Sequence, residues 1–173
     1  MRTLVTLIAL SLCSQAVAEP VRVGVDIGAT AVQKAASHGF ILTPGLHVDI
    51  PVRPQLSLGF QTTIGQFGES NPGGEQVTTP ARLSATVDGR MYRQTLGVYG
   101  GVGPALRIVS TRLQGGSAEF SGTRLRPGVR VRTGVTGDIG QRLEWGVGVG
   151  AVAHTAGVDW DSLASLSFAL GGS

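Results

Sequence analysis

Cysteine occurs once in the 173 residues, at Cys13, and lysine once, at Lys34. A single thiol this close to the N-terminus leaves the rest of the chain with no disulfide and no thiolate metal site. So little lysine excludes the Lys/Glu coat that keeps soluble β-proteins apart. Aromatic residues make up only 5 %. No stretch reaches the roughly 18 apolar residues of a membrane-spanning helix, so any membrane crossing would have to be made by strands. The one sustained apolar run, Leu4 to Leu12, follows Arg2 and precedes Ala16-Val17-Ala18. That order is expected of a secretory leader, residues 1–18, cleaved before Glu19, with one domain over 19–173. Cys13 would leave with the leader.

Glycine is abundant instead, 27 residues in all, and arginine supplies nearly every positive charge. The two alternate with aliphatic residues. In "GVRVRTGVTGDIGQRLEWGVGVGAVA" (128–153), Val129, Val131 and Val135, then Leu143, Trp145, Val147 and Val149, take odd positions. Arg130, Arg132, Gly134, Arg142, Glu144, Gly146 and Gly148 take even ones. Period two in two runs with a turn between them predicts a hairpin. The pattern runs from Val21 to the C-terminus. It predicts strands at 21–30, 42–50, 55–66, 78–88 and 94–109, the quoted pair, and a last strand carrying Leu166, Phe168 and Leu170. Short turns are expected at 51–54, from Asp88-Gly89 to about 93, and at 136–141, with longer loops at 31–41, 67–77, 110–122 and 154–160.

Charge decides which face is inside. Arg22, Asp26, His47, Asp49, Arg82, Arg107, Arg130, Arg132, Arg142 and Glu144 share the polar side of their strands, and the opposite side is almost uncharged. A lipid-facing wall must look like that, since an arginine at mid-bilayer costs about 2–4 kcal/mol. The expected fold is all-β: an eight-stranded antiparallel up-and-down transmembrane barrel, with those ten side chains as a network in the lumen. Glu144 is expected to pair with Arg130 or Arg132 across the hairpin. A serine at Gly148 is expected to fit a polar lumen easily.

The 19–173 region resembles the small outer-membrane β-barrel proteins of Gram-negative bacteria: the OmpA membrane domain, OmpX and the opacity-type porin-like proteins. "LGVYGGVGPALRI" (96–108) resembles their fifth strand, and "LRPGVRVRTGVTGDIGQRLEWGVGVGAV" (125–152) their sixth and seventh. The resemblance implies residence in the cell outer membrane, contact with its lipid, insertion by the barrel-assembly machinery, a monomeric state, no enzymatic activity, and a structural or surface-interaction role for the outer loops. The chain departs from that family's usual terminal aromatic, with Phe168 followed by "ALGGS".

"VGVDIGAT" (23–30) looks like the phosphate hairpin of sugar kinases and actin-like ATPases, but a short motif needs its own fold around it. "GVGVGA" (146–151) lacks a following helix. "AHTAGVDWDS" (153–162) slightly resembles the catalytic end of the lipid A deacylases, yet Thr155-Ala156 follows His154 where that family carries its serine; Ser162 or Ser165 would have to replace it. His38, His47 and His154 lie too far apart in sequence to suggest a metal site. The arginines form no exposed run with aromatics, so no nucleic-acid partner is expected, and no cofactor. A narrow solute porin, a deacylase-like hydrolase and a soluble periplasmic barrel holding an apolar ligand are the alternatives.

Overall fold

A computed structural model describes residues 20–33, 38–71, 74–115 and 118–170. The expected leader and Lys34 lie outside the described residues. Nine strands follow in order: β1 (Val21–Gln33), β2 (His38–Arg53), β3 (Leu56–Ile64), β4 (Phe67–Asn71), β5 (Gly74–Arg93), β6 (Leu96–Gly115), β7 (Ala118–Ile139), β8 (Leu143–His154) and β9 (Gly157–Leu170). All pairings are antiparallel, between sequence neighbours except for β3 with β5, and β1 pairs with β9 to close the ring. Strands β3 and β4 are one wall strand broken at Gly65-Gln66. Both pair with β5, and the Gly65 amide still donates to the Pro80 carbonyl across the break. The ring therefore has eight walls, and within the barrel itself closure leaves no free edge.

The polarity of this barrel is inverted relative to a soluble one. Val23, Val25 and Ile27 on β1 and Val147 and Val149 on β8 face outward and are exposed. Their in-between neighbours Gly24, Asp26, Glu144, Gly146 and Gly148 are buried. The largest fully buried side chains include Arg130, at 1 % exposure, and Asp88, at 0 %. An eight-stranded interior is just wide enough for side chains to fill it. Glycine on the inner wall makes that filling possible. A Cβ at Gly59 would collide with the Arg132 guanidinium, and one at Gly24 with the His47 ring.

Two aromatic groups mark the ends of the outer apolar belt. Phe40 and Trp160 flank Ala31 on adjacent strands at one end. Trp145 and Phe168 lie at the other, near the chain termini.

The turns differ from expectation. Asp88-Gly89 is not a turn: β5 runs on to Arg93, and the chain reverses at Gln94, whose φ of 59° lies in the left-handed region. The expected long loops are mostly strand. β4–β5 stay paired to Asn71↔Gly74, β6–β7 to Gly115↔Ala118, and β8–β9 to His154↔Gly157, where Gly157 takes φ 135°. Polar, glycine-rich composition correlates with loops but does not forbid a ladder, which satisfies every backbone N–H and C=O it includes. Strands β4 to β7 consequently continue as a four-stranded sheet beyond Ile64↔Ala81, where the β3–β5 ladder ends.

Candidate functional site

The interior charges form three linked groups. In the half nearer the chain termini, Arg132 is fixed on Asp88 by two parallel bonds, Nε to Oδ1 at 2.8 Å and Nη2 to Oδ2 at 2.6 Å. Thr86 adds a hydroxyl donor to Asp88 at 2.8 Å. Arg132 also reaches Asp49 at 3.3 Å and lies over the Tyr99 ring, 5.7 Å from its centroid. Asp49 takes Arg90 at 2.7 Å. Arg90 continues to Glu144 at 3.3 Å, and Glu144 also accepts the Tyr92 hydroxyl at 2.8 Å and lies 3.5 Å from Arg22 Nε. This chain joins β1, β2, β5, β7 and β8 across the barrel.

A second group lies in the middle. Asp26 binds His47 Nδ1 at 2.7 Å and accepts from Gln61 at 2.5 Å. Gln61 Oε1 accepts from Arg130, which also donates to Ser84 and Asp161, each at 3.0 Å. Asp161 is shared with Arg82. At the far end, Arg107 pairs with Asp159, Nη1 to Oδ1 at 2.6 Å, and Asp159 lies 3.1 Å from His154.

Nine of the ten residues anticipated from sequence are placed in this interior, and Arg142 is not. The turn extends through Arg142, whose side chain is exposed and whose carbonyl accepts the Ala169 amide. The expected partner of Glu144 is also corrected. Glu144 faces Asp138 in register, whereas Arg132 faces Gly150 and Arg130 faces Val152. Six and eight residues of strand, about 20 and 26 Å, separate those rungs from that of Glu144. Glu144 turns to Arg90, Tyr92 and Arg22 instead. Asp26, by contrast, is held by a histidine and an amide.

Sequence reasoning missed Asp88, Arg90, Tyr92, Asp159 and Asp161. The signal was present. Arg82, Ser84, Thr86, Asp88, Arg90 and Tyr92 continue one period-two series, and Asp159 and Asp161 share parity with Ser165 and Ser167.

Gly148 is corrected too. Its Cβ would overlap the Tyr99 hydroxyl and stand 2.7 Å from the Thr133 carbonyl oxygen. Gly148→Ser is expected to displace Tyr99 and lower the urea midpoint of unfolding in detergent micelles, by about 1–3 kcal/mol for an overpacked site. An unchanged midpoint would contradict this packing.

Two histidines could in principle do chemistry. His154 Nδ1 accepts the Ala156 amide at 3.2 Å, so the hydrogen sits on Nε2, toward Asp159. Both nitrogens are thus committed. Ser162 points outward and Ser165 lies beside Gly146, so neither serves this ring. The order carboxylate–histidine–serine appears elsewhere: Asp26 takes the His47 Nδ1–H, and Ser167 Oγ lies 2.8 Å from Nε2. Nucleophilic catalysis also needs donors for an oxyanion and room for a substrate. The β9 amides around Ser167 lie within its ladders with β1 and β8, and the adjoining cavity is about 30 Å³, room for a water molecule or two. The three residues pin β1, β2 and β9 together. Among the described residues no group of His, Cys, Asp and Glu converges as a metal site.

No family model and no curated protein sequence matches the chain. Solved structures do. Neisserial surface protein A superposes with a TM-score of 0.67 at 12 % identity, over 87 % of this chain and 97 % of that one. Ail, the attachment invasion locus protein of Yersinia pestis, in complex with the heparin analogue sucrose octasulfate, gives 0.69 at 7 % identity, over 89 % and 100 %. The N-terminal β-barrel domain of Pseudomonas aeruginosa OprF gives 0.52 at 9 %, over 86 % and 97 %. The chain has the fold of the small outer-membrane β-barrel proteins.

Proposed function

We propose that this chain is an integral outer-membrane barrel with a charge-closed interior and a structural or surface-interaction role carried by its tall hairpins. The observation behind this reading is the inverted polarity: an uncharged outer belt between two aromatic levels, around ion pairs that cross the interior. Lipid is the solvent that matches that belt. In this reading a cleaved leader takes the chain through the inner membrane, the barrel-assembly machinery inserts it, and it stands as a monomer in outer-membrane lipid.

A soluble barrel holding an apolar ligand would need the aliphatic residues inside. A porin would need a continuous aqueous path, whereas Asp49, Arg90, Arg132 and Glu144 close the section they occupy. The expected result is recovery in outer membranes after salt and carbonate washing, a heat-modifiable band on electrophoresis, and no stepwise conductance in planar bilayers. Native protein in the soluble periplasm would overturn the membrane reading, and steady single-channel steps would overturn the closed interior.

A further inference from the structure

The outer wall is not evenly filled. At the end near the chain termini an open groove of about 490 Å³ runs along Met91, Val98 and Val135, with Leu96 and Trp145 at its rim and Arg93 at its mouth. Register explains the hollow. Arg93, Leu96, Gly137 and Trp145 form one rung across β5 to β8. Gly137 leaves its place in that rung empty, and the Trp145 indole leans into it: a Cβ on Gly137 would fall 2.6 Å from the indole Nε1. The next outward rung toward mid-belt is Met91, Val98 and Val135, all exposed.

Two donors stand at the mouth of this groove. Among the described residues Arg93 has no carboxylate partner and the Trp145 indole N–H no acceptor. Asp138, an exposed carboxylate at the same end, faces Glu144 across the β7–β8 ladder and so takes the inward side, away from Arg93. An arginine at the edge of an apolar belt keeps its stem on hydrocarbon and its head at the interface. Tryptophan takes the same level, its ring in the apolar layer and its N–H toward the polar one. A second groove on the outer wall, of the same volume, is bounded by Val48, Phe60, Ala85 and Leu106 and has no arginine in its lining. Hydrocarbon alone satisfies that one. The groove beside Trp145 is completed only by hydrocarbon and an anion together.

We propose that this groove holds one anionic glycerophospholipid of the leaflet on the side of the chain termini, its phosphate on Arg93 and the Trp145 N–H and one acyl chain along Met91, Val98 and Val135. A guanidinium offers a phosphate two parallel donors. A zwitterionic headgroup brings its own cation beside the phosphate and gains less from Arg93. The proposal rests on the membrane reading above and adds to it a preference for one headgroup charge at one place on the wall.

The test reads Trp145 alone, in the Trp160→Phe protein refolded into phosphatidylcholine vesicles that hold a minor fraction of phosphatidylglycerol. Either the phosphatidylglycerol or an equal fraction of the phosphatidylcholine carries brominated chains, and the ratio of the two quenching constants measures the preference of the site. That ratio should be about threefold to fivefold, the gain from one arginine against an anionic headgroup, and should fall as salt rises. Arg93→Gln should bring it to parity. Arg53→Gln, which removes the same charge from an exposed position beside the β2–β3 turn at the same end, should leave it unchanged. Trp145→Phe, with Trp160 as the reporter at the other end of the belt, should also give parity. Parity in the Trp160→Phe protein, a preference that survives Arg93→Gln, or one equally high at Trp160 would overturn the lipid site. Each of these results, with both tryptophans quenched, leaves the membrane reading standing. Tryptophans untouched by either brominated lipid would remove the site and the membrane reading together.

Discussion

Asp88→Asn should destabilise the barrel by about 3–5 kcal/mol, the usual cost of leaving one member of a buried pair without its partner. Asp88 is fully buried, and Arg132 holds it through two parallel bonds. The amide keeps the shape and an acceptor for Thr86 but cannot neutralise the guanidinium. Asp49, 3.3 Å away and already engaged by Arg90, compensates only in part. Adding Arg132→Gln should recover part of the loss, because it removes the stranded charge and leaves Asp49 with Arg90. Glu75→Gln, at an exposed position on the β5 extension, should stay within about 0.5 kcal/mol. Urea unfolding of the parent, Asp88→Asn, Arg132→Gln and the double variant in detergent micelles closes the cycle. A neutral Asp88→Asn, or a double variant no better than the single, would mean that the interior charges are solvated rather than paired.

Val147→Arg should cost about 2–4 kcal/mol for a different reason. Val147 is 52 % exposed, and its register partners Val135 and Ala164 also face outward. In a water-soluble protein arginine at such a position would be harmless. In lipid its charge must either leave water or snorkel toward the nearer interface. The variant should fold less completely into vesicles than the parent, and unfold at lower urea from them. Equal folding yield and equal midpoint would contradict the lipid-facing assignment.

These two predictions differ in how they could be reached. The outward face was legible from sequence because period two places one residue type on one side, and one apolar side of each strand is all that assignment requires. Asp88 was not, because Asp-Gly between alternating residues is also a strong turn signal. Local turn chemistry lost here to the ladder, in which β5 continues past Gly89 against Gly100. Asp159 and Asp161 were hidden for a similar reason. They follow a real turn, Thr155-Ala156, and the polar stretch after it reads as its continuation. Partner choice was the least legible feature. The hairpin register shows what lies beside Glu144, but its ion pairs cross the interior to Arg90 and Arg22, on strands far away in sequence. Only closure of the ring brings β1, β5 and β8 around one space.

The placement of this barrel in lipid is tested most directly on the unmodified protein. Its two tryptophans, Trp145 and Trp160, lie on the outer surface at opposite ends of the apolar belt. Reconstituted in vesicles of phospholipid brominated at defined depths, both should be quenched, and more strongly by bromine near the headgroups than by bromine near the chain ends. Emission untouched by brominated lipid and fully accessible to aqueous acrylamide would contradict the account.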